Sequence, residues 1–149
     1  MNRRKFKKRH ALITSFPVVP KSIKRETLKE VGKQYLLSEG NRLTYIYKTD
    51  LQGKVREVTC VSYEIEIEND WITIAYLDNV HAGILHMHIR TSIENLSDPA
   101  TTLAVTKKTD PKKQLTWAIH YLNNSYLDYK RGFLKRSKTY LTKNKVEVY

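Results

Sequence analysis

The feature that most constrains this chain is an alternation of apolar and polar residues, repeated in short runs between residues 43 and 91. In one run Tyr63, Ile65 and Ile67 alternate with glutamates. Successive side chains of a strand point to opposite faces, so the pattern predicts strands with one apolar face. Turn-forming residues separate the runs at 50–53, 69–70 and 79–83. Strands joined by such short turns predict an antiparallel meander.

A helical period follows the strands. Asp110 and Pro111 form a helix start, with an N-cap residue and a proline at the first helical position. Gly132 is a candidate for its end. The apolar residues then recur at steps of three and four, which predicts one buried helical face: Leu115, Ala118, Ile119, Leu122, Tyr126, Tyr129 and Phe133. We therefore predict an α+β domain, with an antiparallel sheet of four to six strands and one long C-terminal helix packed on it.

Charge divides the chain of 149 residues into three parts. Residues 1–33 carry 11 basic and 2 acidic side chains, residues 34–105 carry 5 and 10, and residues 106–149 carry 11 and 3. We predict a basic arm and linker over 1–33, with a weak helical pattern at 21–32. We also predict a single domain over 34–136. A basic tail over 137–149, either a short strand or disordered, follows it.

Cationic ends around an anionic middle indicate a polyanionic partner, with nucleic acid first and RNA ahead of DNA. The competing interpretation is a basic surface that only aids solubility. No apolar run reaches the length of a membrane span, so we expect a cytoplasmic protein without a membrane partner. The expected nucleic-acid contacts are the cations of the arm and of the helix end: Arg3, Arg4, Lys5, Lys7, Lys8, Arg9, Lys130, Arg131, Lys135 and Arg136.

Three of the five histidines lie between His81 and His88. A period of two places His86, His88 and Arg90 on one face of a strand, and the apolar residues between them face the other way. If this strand pairs with the run before it, Asp78 and His81 lie at the mouth of the hairpin, close to His86. The sequence therefore predicts a cluster of titratable side chains at one end of the sheet.

This cluster allows three interpretations. The first is metal-independent RNA cleavage, in which imidazoles act as acid and base and Arg90 holds phosphate. The second is a metal site, because His-x-His is a ligand spacing that His81 or Asp78 could complete. The third is a polar sheet face that makes only structural hydrogen bonds. Because the cluster accompanies basic chain ends, we favour the first interpretation, with Asp78, His81, His86, His88 and Arg90 as catalytic candidates and no cofactor.

Other sequence features exclude several kinds of site. Cys60 is the only cysteine, which excludes an internal disulfide and any site that needs two thiolates. The chain has no Walker A loop, dinucleotide glycine fingerprint or nucleophile elbow. The glutamates Glu64, Glu66 and Glu68 share one strand face, which we predict to be solvated.

The segment from Trp71 to Ile89, WITIAYLDNVHAGILHMHI, resembles a group of small bacterial and archaeal proteins that includes TumE-like toxin components of toxin–antitoxin pairs. The shared features are a strand that begins with an aromatic residue, an Asp-Asn turn and a His-x-His strand. The resemblance implies a compact sheet with a packed helix, related in outline to RelE-type ribosome-dependent ribonucleases. It also implies a ribonuclease or translation inhibitor, with a cognate antitoxin as partner. A non-catalytic nucleic-acid-binding module is the alternative, and a metal-dependent enzyme is the third candidate.

Overall fold

The computed structural model of the protein describes residues 27–96, 100–104 and 109–148. Strands come first along the chain, and a 3-10 turn, Ile93–Asn95, separates the last two of them. One long helix follows. The elements are β1 (Lys29–Ser38), β2 (Asn41–Thr49), β3 (Val55–Ile67), β4 (Asp70–Asp78), β5 (His86–Ile89), β6 (Ala100–Ala104) and α1 (Pro111–Asn144).

The strands form one sheet in the order β1 to β6, and every neighbouring pair is antiparallel. The turn between β3 and β4 passes through Glu68 and Asn69, whose φ angles are 51° and 68°. Two consecutive positive φ angles are typical of a type I′ hairpin turn, which matches the twist of the flanking strands. The predicted α+β class, with an antiparallel sheet and one long C-terminal helix, is confirmed.

The helix packs on one face of the sheet, across β2, β3 and β4. Tyr63 lies fully buried at the centre of this covered face. Its ring meets that of Tyr126 edge to face, with centroids 5.4 Å apart, and its hydroxyl donates to Asn41 Oδ1 at 2.6 Å. The buried hydroxyl therefore has a partner. The other buried side chains of the covered face include Leu43, Val61, Leu77, Leu115, Ala118, Leu122 and Phe133.

The opposite face of the sheet, which we call the open face, is polar. Within the described residues no helix or strand packs across it. Strand alternation and register place on it Arg42, Thr44, Cys60, Ser62, Glu64, Trp71, Thr73, Tyr76, Asp78, His86 and His88. The catalytic candidates of β4 and β5 thus share a surface with residues from β2 and β3.

The start of α1 confirms the predicted cap. Asp110 Oδ1 accepts hydrogen bonds from the backbone nitrogens of Lys112, at 2.9 Å, and Lys113, at 3.2 Å. Pro111 is the first helical residue. The predicted apolar stripe also faces the sheet, with Leu115, Ala118, Leu122 and Phe133 buried.

The end of α1 differs from the prediction. The helix runs for 34 residues, through Gly132 to Asn144, so residues 137–144 continue the helix and are not a separate tail. Packing overrides the glycine, because Phe133 and Ser137 are both buried and Ser137 Oγ accepts a hydrogen bond from the backbone of Ile93 at 2.9 Å. The helix ends where Lys145 adopts a left-handed conformation, with φ 53°. Within the described ranges, no helix is long and apolar enough to cross a bilayer.

The first strand was not predicted. β1 occupies 29–38, so the weak helical pattern over 21–32 was wrong for residues 29–32, and the sheet begins inside the proposed arm. Most of this edge strand is exposed. It therefore lacks the apolar alternation that marks a half-buried strand, and its structure depends on pairing with β2. The cations from Arg3 to Arg9 lie outside the described residues.

The prediction of a solvated glutamate row was wrong for Glu64. Glu68 is exposed, whereas Glu64 is only 8% exposed. Its carboxylate accepts hydrogen bonds from Arg42 Nε and from the hydroxyl of Ser62, the latter at 3.0 Å. The strand period identifies the face on which Glu64 lies, but the arginine that neutralises it comes from another strand, 22 residues earlier.

Candidate functional site on the open face

The turn between β4 and β5 is anchored by a buried pair of amides. The Asn79 side chain accepts a hydrogen bond from the Val58 backbone at 2.7 Å and donates to Gln114 Oε1 at 2.7 Å. Gln114 in turn donates to the Gly83 carbonyl at 3.0 Å. Both amides are at least 97% buried. The turn is therefore held by β3 on one side and by the first turns of α1 on the other.

This anchored turn brings the two strands of the predicted cluster into register. Asp78 lies opposite His86, and Tyr76 lies opposite His88. His88 Nε2 is 3.2 Å from Asp78 Oδ2, and the His88 ring stacks on Tyr76 with centroids 4.5 Å apart and planes 14° apart. Cross-strand neighbours on one face are close enough for such contacts. The sheet thus fixes the His88 imidazole between a carboxylate and an aromatic ring.

Electrostatics connect Arg90 to the same group. Burial raises the pKa of the Tyr76 hydroxyl, and the negative charge of Asp78 raises it further, while the positive charge of Arg90 opposes the rise. Both charged groups therefore act on the Tyr76 hydroxyl, with opposite sign. The backbone nitrogen of Arg90 donates to Ile74 at 2.8 Å, which holds this residue beside β4.

Cys60 lies on the same face but is unsuited to be a nucleophile. Burial raises the pKa of its thiol to about 11, despite a hydrogen bond with Ser62, and the negative charges of Asp78 and Glu64 contribute to the rise. The thiolate is the reactive form of cysteine, so Cys60 stays protonated and inert at neutral pH. The acid–base chemistry of the face therefore falls to the imidazoles.

Two buried polar atoms at the site have no partner within the described part of the chain, His86 Nδ1 and Arg90 Nε. Buried polar atoms are nearly always hydrogen-bonded, so unpaired ones need an explanation. Both belong to predicted catalytic residues.

His81 does not join the cluster. It lies exposed in the turn, where its carbonyl accepts a hydrogen bond from the Ile84 backbone at 3.4 Å, and across residues 27–96, 100–104 and 109–148 its side chain makes no hydrogen bond or ion pair. The expected placement at the hairpin mouth, near His86, assumed a shorter turn. The chain leaves the sheet after Asp78 and returns only at His86, and Ala82 and Gly83, with φ angles of 58° and 67°, turn it in between. The His81 side chain therefore makes no hydrogen bond to Asp78, His86, His88 or Arg90.

The donor set does not form a metal site among the described residues. No three side chains of His, Cys, Asp or Glu come together there in a way that would hold an ion. His86 and His88 share a face, but the third ligand that the metal interpretation took from His81 or Asp78 is not assembled around both imidazoles.

The site is part of a surface and not a closed cavity. A pocket of about 530 Å³ lies between the end of β5 and the helix, lined by residues that include Ile89, Tyr121 and Tyr129. Burial and a hydrogen bond with Tyr121 raise the pKa of the Tyr129 hydroxyl. This pocket does not include the histidines, so the candidate site and the pocket are separate features.

The predicted cations of the helix end lie on α1 itself. Lys135 is exposed, and Arg131 pairs with Asp128 at 3.3 Å on the surface. Arg136 donates to the Thr91 carbonyl at 2.6 Å, so it also ties the helix to the segment after β5. Burial lowers the pKa of Lys130. These residues form a basic surface on the helix, as predicted.

Sequence reasoning missed Tyr76, Asn79 and Gln114. Tyr76 is visible as an open-face residue once β4 and β5 are paired in register. Asn79 follows the last residue of β4, where an amide can satisfy backbone groups that leave the sheet. Gln114 gives no signal in the sequence, because its partners lie 31 and 35 residues earlier.

The fold and the site together define an α+β domain with one helix-covered and one polar, histidine-bearing sheet face. The chain belongs to the family of the domain of unknown function DUF7718, whose model matches residues 24–139. This match spans β1 to β6 and most of α1. No curated protein and no solved structure is similar enough to the chain to count as a match.

Proposed function

We propose that the protein is a toxin-like, RNA-directed ribonuclease that uses the open face without a metal ion. The observation that supports this most directly is the pairing of His88 with Asp78, on the face that also carries His86 and close to Arg90. A carboxylate next to an imidazole orients the ring and stabilises its protonated form during proton transfer.

The proposed reaction is cleavage by the adjacent 2′-hydroxyl of RNA. His88 removes the proton of that hydroxyl, and the 2′-oxygen forms a new bond to phosphorus. The bond from phosphorus to the 5′-oxygen breaks, and His86, protonated at the start, gives its proton to that oxygen. The products are a 2′,3′-cyclic phosphate and a free 5′-hydroxyl, and Arg90 stabilises the charge on phosphorus in between. Proton exchange with solvent restores both histidines.

In a cell, such cleavage would act as a translation inhibitor, and a cognate antitoxin would neutralise it. The test is induced expression followed by growth measurement. We expect arrest with the wild type, no arrest with His88→Ala or Asp78→Asn, and arrest with His120→Ala, a matched control because His120 is exposed on α1. Arrest by a folded His88→Ala protein would reject the assignment of His88.

A non-catalytic nucleic-acid-binding module is the second candidate, favoured by the exposed cations of α1 such as Arg131 and Lys135. Each phosphate that a cation neutralises releases a counterion, so binding weakens with salt at a log–log slope of about −0.7 per contact on single strands. Deleting residues 1–9, which hold six of the cations, should reduce that slope by roughly 3–4 if the arm also binds. Full RNA binding with no cleavage would favour this second candidate.

A further inference from the structure

A second cluster of interacting side chains lies on the open face, formed by residues of β2, β3 and β4. The Arg42 guanidinium lies over the Trp71 ring, 4.2 Å from its centroid. Arg42 Nε donates to Glu64, whose carboxylate also accepts from the hydroxyls of Ser62, at 3.0 Å, and Thr44, at 3.3 Å. Several hydrogen bonds thus fix the carboxylate, which in turn holds the guanidinium over the indole.

This arrangement leaves donors available. The Nη groups of Arg42 make no hydrogen bond within the described part of the chain. Arg42 lines a pocket of about 430 Å³ at the edge of the sheet, together with Gln34, Tyr35, Leu36 and Trp71. The pocket therefore combines an indole, a planar guanidinium, an amide and an exposed leucine.

We propose that this pocket binds a base of single-stranded RNA, a few nucleotides away from the phosphate cleaved at His88. The assignment rests on the proposed function. Bases of single-stranded RNA stack on aromatic rings and on guanidinium planes, and their edges accept hydrogen bonds. Glu64 neutralises Arg42, so the pocket suits a planar uncharged base better than an isolated phosphate, while Arg90 supplies the cation for the backbone.

The spacing of the two groups fits one strand of RNA. Arg42 lies on β2 and His88 on β5, three strand spacings apart and two residues apart along the register. Strand spacing and rise put them roughly 15 Å apart on the same face. A few nucleotides of a single strand span that distance, so a base in the pocket and a phosphate at His88 can belong to one molecule.

The test uses the fluorescence of Trp71 in the full chain. Trp71 and Trp117 are the only tryptophans, and Trp117→Phe, a change on the exposed side of the helix, leaves Trp71 as the sole indole. The probe is a short single-stranded RNA with 2′-O-methyl groups, which binds but lacks the attacking hydroxyl. Binding is followed independently by the anisotropy of a label on the RNA.

We expect the probe to quench Trp71 emission with the same dissociation constant that anisotropy gives. An abasic oligomer of equal charge should not quench it. Trp71→Phe, which keeps only Trp117, should show no quenching, and Arg42→Ala should weaken binding roughly tenfold through lost stacking. Saturation by RNA without a change in Trp71 emission, equal quenching by the abasic oligomer, or no RNA binding at all would overturn the assignment.

The two proposals can fail separately. His120→Ala, a change at an exposed position on α1, should bind and quench like the single-tryptophan parent. Quenching by a protein that never cleaves RNA would keep the pocket and reject the nuclease. Cleavage by a protein whose Trp71 is unaffected would keep the nuclease and reject the pocket.

Discussion

The covered face and the open face are built from the same strands, yet their side chains differ in polarity and in the interactions that stabilise them. On the covered face the helix excludes water, so alternate residues such as Leu43, Tyr63 and Leu77 are apolar and fully buried. On the open face the alternate residues are polar, and buried carboxylates such as Glu64 and Asp78 lie beside a cation or an imidazole. Stability thus resides mainly on one face, and the capacity for chemistry on the other.

The largest effect should come from emptying the covered face. Leu122→Ala removes a fully buried side chain and leaves a cavity, and we expect a loss of about 2–5 kcal/mol in the free energy of unfolding. Leu127→Ala is the matched control, because Leu127 is 54% exposed on the same helix, and it should change stability by no more than about 0.5 kcal/mol. Urea unfolding measures both, and equal losses would mean that the helix does not cover the sheet as described.

A smaller effect should follow from breaking the anchor between the faces. Gln114→Ala removes the hydrogen-bond partner of the buried Asn79 amide and of the Gly83 carbonyl. We expect the free energy of unfolding to fall by about 1–3 kcal/mol. Gln34→Ala, an exposed glutamine on β1, should be nearly neutral. If Gln114→Ala unfolds at the same urea concentration as the wild type, the buried amide pair contributes nothing to stability.

The covering helix also depends on its own cap. Asp110→Ala removes the acceptor for two backbone nitrogens and should cost about 1 kcal/mol. Asp128→Ala, in which a surface carboxylate on the same helix is lost, should have almost no effect, since exposed ion pairs contribute little. Thermal unfolding of the two variants side by side checks this, and an Asp128→Ala loss as large as that of Asp110→Ala would contradict it.

The smallest expected effect is on the chemical reactivity of the Cys60 thiol and not on the stability of the fold. With its pKa raised to about 11, the Cys60 thiol forms thiolate only as the pH rises toward that value. At pH 8 its thiolate fraction should be roughly a hundredfold lower than that of an ordinary thiol. Mass spectrometry after iodoacetamide treatment should find slow labelling of the folded chain and fast labelling in urea. Equal rates would show that the open face around Cys60 is not packed as described.

The covered face could be predicted well from the sequence because its physics is local. Apolar periods of two and of three to four identify strands and helix, and Asp110-Pro111 identifies the helix start. The prediction failed where long-range packing decides. β1 is held by pairing with β2, and the helix continues past Gly132 because Phe133 and Ser137 are buried.

The open face could be predicted only in part. The alternation of His86 and His88 with apolar residues was correct, and Asp78 does lie beside His88. His81 is exposed in the turn, and Glu64 is buried against Arg42. Both outcomes depend on turn length and strand register, which a single sequence does not specify. The residues that carry the candidate chemistry were visible in the sequence, whereas their partners were not.

The most direct test of the account is cleavage of single-stranded RNA by the purified protein with a chelator present. We predict cleavage that leaves 2′,3′-cyclic phosphate ends, unaffected by the chelator. His88→Ala should slow it by about 10²–10⁴-fold, since that is the usual contribution of a general acid or base, and His120→Ala should not slow it. Cleavage by His88→Ala at the wild-type rate, or no cleavage by a folded wild-type protein, would contradict the claim that the open face is a ribonuclease site.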